Sequence, residues 1–241
     1  LIGLSSYPAC TWGDYDNDGD LDILIVGSYM STIYRNDFGS FTDINAGLIG
    51  LDDASCAWGD YDNDSDLDIV LSGRDNTFKG IAKIYRNDDG NFTDINADIH
   101  DAETGSVLWS DFDNDGYLDF LITGYNRTND MPISIIYKNI DGVFIETNAG
   151  LLGLDYSCAC AGDYDNDGDT DIIITGTNDW SNPLSIIYKN NLDSFEVDTT
   201  VTGVDGGWVE WGDYDNDGDL DILLSGDDDS SSITKIFHND S

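Results

Sequence analysis

The sequence predicts an all-β fold: a β-propeller of five four-stranded repeats of about 50 residues, the last repeat lacking its outermost strand. Three columns of residues predict it. The segment Trp12-Gly-Asp-Tyr-Asp-Asn-Asp-Gly-Asp-Leu-Asp22 recurs in five variants, whose first Asp is Asp14, Asp60, Asp111, Asp163 and Asp213. A second column reads Ile-Tyr-basic-Asn at Ile33–Asn36, Ile84–Asn87, Ile136–Asn139 and Ile187–Asn190, and Ile-Phe-His-Asn at Ile236–Asn239. A third is the Phe after a turn, at Phe41, Phe92, Phe144 and Phe195, with no fifth member. No useful length of chain carries a 3.6-residue period, and a β-solenoid of short rungs would repeat far sooner. Each unit buries one face against its neighbour. Residues 1–241 therefore read as a single propeller domain, with repeats near 5–51, 52–102, 103–154, 155–204 and 205–241.

Taken in order, strand A of each repeat ends in the Trp-Gly-Asp step. Strand B is the apolar run after the acidic loop, as in Leu21–Val26, Ile69–Leu71, Phe120–Thr123, Ile172–Thr175 and Ile222–Leu224. Strand C carries the Ile-Tyr-basic-Asn column and strand D the Phe column. Turn residues such as Asn87-Asp88-Asp89-Gly90 join C to D and suit a hairpin.

The loop between A and B is the densest chemistry in the chain. It reads Asp-x-Asp-x-Asp-Gly-x-x-Asp, with Asp at positions 1, 3, 5 and 9 in every copy. These are Asp14, Asp16, Asp18 and Asp22; Asp60, Asp62, Asp64 and Asp68; Asp111, Asp113, Asp115 and Asp119; Asp163, Asp165, Asp167 and Asp171; and Asp213, Asp215, Asp217 and Asp221. Four carboxylates within nine residues repel unless a cation sits among them. Hard oxygen ligands on a flexible loop suit Ca²⁺ better than Mg²⁺, so about five Ca²⁺ are expected, one per loop. Position 7 (Asp20, Asp66, Tyr117, Asp169 and Asp219) is read as giving its backbone carbonyl, its side chain left free. An EF-hand is excluded, because position 12 is Ile25, Leu71, Ile122, Ile174 or Leu224 rather than a bidentate Glu. Gly at position 6 supplies a positive-φ turn. Ser65 stands there in the second repeat, which predicts a cost of roughly 1–2 kcal/mol and the weakest calcium site. In the fourth repeat Ala161 replaces the column Trp and Thr170 replaces the column Leu, a difference expected in packing and not in ligation.

This loop, followed by an apolar strand, resembles the FG-GAP or VCBS repeat that builds the propeller of integrin α subunits and of many secreted bacterial proteins. The resemblance covers essentially the whole chain, and the bacterial type is closer through Tyr34–Asp37 and Phe41–Ile44. The Gly-Ala-Pro element of the FG-GAP name is absent, and integrin propellers have seven blades against five units here. The resemblance implies calcium at the loops and an extracellular setting, secreted or cell-surface.

Composition narrows the function. Acidic residues number 49 against 9 basic, for a formal charge of -40, and only four of the acids are Glu. That excludes a nucleic-acid partner bound through its phosphates and argues against anionic membranes. A content of 40% hydrophobic residues excludes a disordered acidic chain. No run is apolar enough for membrane insertion, and Leu1 reads as the start of a processed or truncated chain. Of the 45 Asp, 24 lie in the five loops, and five Ca²⁺ would bring the charge to -30.

The remaining features carry two readings each. The Trp column (Trp12, Trp58, Trp109 and Trp211) packs between blades in the preferred reading, or offers a stacking platform for sugars. The basic column (Arg35, Arg86, Lys138 and Lys189) pairs with internal carboxylates or binds an anion. Cys10, Cys56, Cys158 and Cys160 are read as small buried residues without a zinc spacing. His238 fills a place in the basic column, and His100 has no readable nucleophile partner. Variable B–C loops oppose the calcium rim and carry the candidate ligand-binding residues Tyr29, Phe78, Tyr125, Arg127 and Trp180. Leu1–Leu4 matches Leu48–Leu51 and Leu151–Leu154, which follow strand D, so the chain is short by about one edge strand. A missing strand, a cut from a longer propeller and a strand donated by a neighbouring subunit remain open. The functional expectation is a non-enzymatic adhesion module with a protein or glycan partner. A homopolymeric fibre self-associating through the open blade edge is the alternative, and a polysaccharide- or phosphoester-cleaving enzyme the least supported.

Overall fold

The computed structural model describes residues 3–4, 8–178, 182–192 and 194–239. All regular structure there is β. The first three repeats are four-stranded antiparallel sheets whose strands lie in chain order. They comprise β1 (Ala9–Gly13), β2 (Asp22–Gly27), β3 (Met30–Asp37) and β4 (Ser40–Asp43); β5 (Asp52–Gly59), β6 (Asp68–Arg74), β7 (Gly80–Asp88) and β8 (Asn91–Asp94); and β9 (Val107–Ser110), β10 (Asp119–Asn126), β11 (Met131–Ile140) and β12 (Val143–Glu146). Equivalent registers recur: Trp12 opposes Ile23, Trp58 opposes Ile69 and Trp109 opposes Phe120. The architecture is propeller-like.

The last two repeats depart from the expected separate strands. One six-stranded sheet holds β13 (Asp155–Gly162), β14 (Asp171–Thr177), β15 (Pro183–Asn190), β16 (Phe195–Gly212), β17 (Asp221–Asp227) and β18 (Ser232–Phe237). Strand β16 pairs β15 through its first half and β17 through its second, so strand D of the fourth repeat runs on into strand A of the fifth. The reason is local. Repeats one and two break after strand D at left-handed Asn45 and Asn96, whose N–H groups turn back onto Asp43 and Asp94. The fourth repeat has Thr199-Thr200-Val201-Thr202 instead, a β-branched run with no such turn.

The core lies between neighbouring repeats. One face of each sheet, here the front, meets the back of the next. Leu24 and Ile33 pack against Ile69, Leu71 and Tyr85. Val70 and Ile84 pack against Phe120, Ile122 and Tyr137. Leu121 and Ile136 meet Ile172, Ile174 and Tyr188, and Ile173 and Ile187 meet Ile222 and Leu224. The Trp column does pack between repeats at three places. Trp58, Trp109 and Trp211 stack on Tyr15, Tyr61 and Tyr164 with centroids 6.1, 6.0 and 5.6 Å apart. Trp12 is the exception and lies exposed. The inner strands of all five repeats line one axial cavity of about 470 Å³, with Cys10, Cys56, Val107, Cys158 and Val209 on its wall. All four thiols are free; Cys158 is buried, but Cys56 and Cys160 are half-buried and Cys10 is exposed, against the expectation of burial.

Candidate metal loops and the opposite rim

Each acidic loop is folded by its own carboxylates. In the first, Asp14 accepts the N–H groups of Asp18 and Gly19 (both 3.0 Å), and Asp18 accepts that of Asp20 (2.8 Å). Asp22 is fully buried at the start of β2 and accepts Tyr15 N–H (3.1 Å) and Asn36 N–H (2.7 Å). The other four loops repeat this pattern, for example Asp60 with Ser65 N–H and Asp119 with Asn139 N–H. Position 6 is left-handed throughout: Gly19, Gly116, Gly168 and Gly218 have φ of 90–100°, and Ser65 has φ 79°.

Carboxylate oxygens within single loops converge to within 4.8 Å of one another. This holds for Asp14, Asp16 and Asp18; for Asp60, Asp62 and Asp68; for Asp111, Asp113 and Asp115; and for Asp163, Asp165 and Asp171. In the fifth loop His238 joins Asp215 and Asp217. The donor set fits a hard cation for two further reasons. One buried oxygen each of Asp62, Asp113 and Asp165, all at position 3, has no hydrogen-bond donor. Lysine ammonium groups also stand over this cluster, Lys138 on Asp113 and Lys189 on Asp165 and Asp167 (3.0 Å to the latter). The basic column therefore pairs internally, as do Arg35 with Asp37 (3.0 Å) and Arg86 with Asp88 (2.7 Å).

Electrostatics match crowded, half-desolvated acids. Burial pushes Asp68 up to about 7 and Asp119 and Asp171 up to about 6, with neighbouring loop carboxylates adding to the rise. Asp221 goes the other way: the Asn239 N–H bond holds it below the ordinary carboxylate range. Its sheet is the one whose front is uncovered, so burial opposes that bond weakly.

Position 7 corrects one expectation, since the side chains of Asp20, Asp66, Asp169 and Asp219 are engaged and not free. Asn17 donates to Asp66 (3.2 Å), Asn114 to Asp169 (3.0 Å) and Asn166 to Asp219 (2.7 Å). Asn63 reaches Gly116 O in the same manner (2.9 Å). Position 4 of the first four loops thus ties to the next loop. A second link runs backwards. Asn87 donates to Leu67 O of its own loop and to Tyr15 O of the preceding one. Asn139 bridges Leu118 O and Tyr61 O, Asn190 bridges Thr170 O and Phe112 O, and Asn239 bridges Leu220 O and Tyr164 O. Both Asn columns are visible in the sequence, where only their recurrence could have flagged them.

The opposite rim holds a second site. Glu103 is buried, pairs with Arg127 (2.7 Å) and lies 3.9 Å from Arg74, which itself pairs with Asp53 (2.6 Å). With Tyr125, Asp155 and Tyr156 these side chains line a pocket of about 280 Å³. Burial raises the carboxyls of Asp53 and Asp155. Asp53, Thr104 and Tyr156 share one left-handed bulge position on successive inner strands, joined by Thr104 N–H to Asp53 O (3.1 Å). Of the sequence candidates, Tyr125 and Arg127 meet here, and Phe78 reaches the cluster through Arg74, whose guanidinium lies 5.5 Å from its ring centre. Tyr29 does not line this pocket; its N–H caps Leu51 O (2.9 Å) in a turn. Trp180 lies outside the described residues. Arg74, Glu103 and Tyr156 were missed, because nothing local distinguishes them from surface residues.

Converging acidic loops joined to four-stranded antiparallel sheets define a class of propeller-like repeat proteins. The profile of the FG-GAP-like repeat matches residues 14–71, 60–122, 111–174 and 163–224, so the chain belongs to the FG-GAP-like repeat family. No curated relative matches at the sequence level. Among solved structures, an Agrocybe aegerita lectin that recognises non-reducing terminal N-acetylglucosamine superposes at TM-score 0.57 and 19% identity, over 98% of this chain and 67% of the lectin. The V. cholerae biofilm matrix protein Bap1 gives TM-score 0.47 at 17% identity, over 92% of this chain and 35% of that one. An α-L-arabinofuranosidase of Clostridium thermocellum gives 0.41 at 13%, over 91% and 81%. The lectin likeness shows the fold alone. Among the described residues no helix is long and apolar enough to cross a membrane.

Proposed function

We propose that residues 1–241 form a single five-bladed propeller domain whose acidic loops each bind Ca²⁺, and that it works outside the cell as a non-enzymatic binding module. The six-stranded sheet is then two blades joined through β16. The observation that carries this reading is the unsatisfied buried oxygen of Asp62, Asp113 and Asp165, each among converging carboxylates. Positions 1, 3, 5 and 9, with the position-7 carbonyl, would hold the ion. The ion would offset two of the negative charges in each loop and stiffen one rim, leaving the other rim to recognise a partner. Isothermal titration of chelator-stripped protein should give about five Ca²⁺ per chain; one or none would sink the reading.

For the partner we favour a neutral saccharide at the Arg74–Glu103–Arg127 pocket. Its two guanidinium groups are already engaged by Asp53 and Glu103, with Asp155 a third carboxyl beside them, which disfavours an anionic ligand. The rings of Tyr125 and Tyr156 suit the apolar face of a pyranose, and about 280 Å³ admits one ring and not a chain. A glycan array should show calcium-dependent binding that Arg127→Ala abolishes without turnover of the sugar. Hydrolysis of any bound glycan would overturn the non-enzymatic reading.

A further inference from the structure

We propose that the outer strand of the third repeat, β12, is a docking edge for an extended segment of a partner protein in which apolar and basic residues alternate. This edge lies on an internal repeat and depends on neither calcium nor a saccharide.

The repeats supply their own comparison. Position 7 of the loop is Asp20, Asp66, Asp169 and Asp219, but Tyr117 in the third repeat. The Asn of strand C is followed by Asp37, Asp88 and Asn191, but by Ile140 in the third. Ser40, Asn91 and Ser194 precede the strand-D Phe, and Thr42, Thr93 and Glu196 follow it; the third repeat has Val143 and Ile145 there. Positions that are polar in the other repeats are thus apolar together in one. The exchange adds nothing to the core. Tyr117, Ile140, Val143 and Ile145 are 38, 46, 62 and 49% exposed, and none belongs to a core cluster among the described residues. It also costs a bond. Asp20 and Asp66 accept the N–H groups of Phe38 and Asp89 in their C–D turns (2.8 and 2.9 Å), whereas Tyr117 has no carboxylate to offer Asp141. Apolar side chains gathered on a surface at such a cost mark a contact.

The side chains lie together. Ile140 opposes Val143 across the turn, Val143 and Ile145 share one face of β12, and Tyr117 and Val143 line one groove. Strand β12 is outermost in its sheet, so one row of its N–H and C=O groups is a template for an added strand. Strands β4 and β8 have the same place in their sheets but carry Ser40 and Thr42, or Asn91 and Thr93, where β12 is apolar.

The other face of β12 selects the partner. There Phe144 packs on Tyr61, with ring centres 5.3 Å apart, beside a groove of about 650 Å³ between the second and third repeats. Its wall carries Asp141, Asp62 of the acidic loop, and Asp98, where the first and third repeats have Gly47 and Gly150. Arg86 on the same wall is held by Asp88 (2.7 Å). The groove therefore calls for a cation. An added strand sends successive side chains to opposite faces, apolar ones beside Val143 and Ile145 and basic ones over Asp98 and Asp141. A second copy of this chain, with 49 acidic against 9 basic residues, is the wrong partner by charge.

Fluorescence polarisation with a labelled peptide of alternating Lys and Val, about six residues long, tests this in saturating calcium. Salt at about 0.15 M screens the long-range attraction of the acidic chain. The full chain should bind the peptide one to one, and a peptide of alternating Lys and Ser, equal in charge, about tenfold more weakly. Val143→Asn with Ile145→Thr, the residues of the second repeat, should remain folded by circular dichroism and lose about tenfold in affinity. Asp98→Gly, as in the first repeat, should weaken binding severalfold. Arg127→Ala, at the saccharide pocket, should leave it unchanged, so the two sites fail separately. No binding of the Lys-Val peptide, equal binding of the Lys-Ser peptide, or undiminished binding by the folded double variant overturns the proposal, and an Asp98→Gly variant that binds as well as wild type overturns the choice of a basic partner. If the double variant does not fold, the Lys-Ser peptide and Asp98→Gly still decide.

Discussion

Glycine at loop position 6 offers a perturbation whose size follows from backbone geometry alone. Gly168 has φ 93°, and a Cβ there meets nothing within 4 Å, so Gly168→Ala adds conformational strain without a clash. Holding a non-glycine residue in the left-handed region costs about 1–2 kcal/mol. The substitution also removes freedom from the unfolded chain, which returns about 0.4–1 kcal/mol. The net loss should be near 1 kcal/mol, or about 2–4 °C in melting temperature for a domain of this size. Ser65 presents the reverse case, with φ 79° and its N–H still bonded to Asp60 (2.9 Å), so Ser65→Gly should stabilise by a similar amount. Where the second loop orders only on binding, that relief would tighten its calcium affinity up to about fivefold. Urea unfolding followed by tryptophan fluorescence, in saturating calcium, measures both variants. Opposite shifts of similar size are expected. A Ser65→Gly variant less stable than wild type would refute the strain argument, and a loss above about 3 kcal/mol for Gly168→Ala would show a contact the geometry lacks.

Three further outcomes are expected. EGTA should lower the melting temperature greatly, because an ion that binds only folded loops adds stability by linkage; unchanged melting would remove the metal. The pH trend should depend on calcium. Asp68, Asp119 and Asp171 sit at about 7, 6 and 6 when folded, above the ordinary value of 3.8, so in chelator their contribution is present below about pH 4 and is lost as pH rises through 6 and 7. With calcium the ion replaces the proton, and stability should instead fall as pH drops through the same window; parallel curves would contradict this. Asn139→Ala removes donors to Leu118 O and Tyr61 O and leaves buried carbonyls unpaired, which should cost about 1–3 kcal/mol and loosen calcium at both the second and third loops; an effect on the third loop alone would disprove the link.

The sequence by itself determined what lies within one repeat. Nine consecutive residues set the loop, because Asp14 bonds N–H groups only four and five residues ahead. Alternation and turn residues set strands B, C and D, and Gly or Ser65 at position 6 announced its positive φ. Tertiary structure decided what lies between repeats. Asn87 and Tyr15 are 72 residues apart, so no local pattern tells that this side chain joins two loops. Ala161 and Thr170 looked like isolated departures, yet Gly59 receives Trp109 and Leu118 of the next repeat, and before Ala161 and Thr170 that glycine is Ser110. Trp12 shares its column with Trp58 yet is exposed, since burial comes from whichever repeat stands in front and not from the residue. The same holds for the rim, where Tyr29 caps a turn while Tyr125 joins Arg127 and Glu103. Bonds a few residues long are written in local spacing; burial and pairing across repeats exist only once the repeats are stacked.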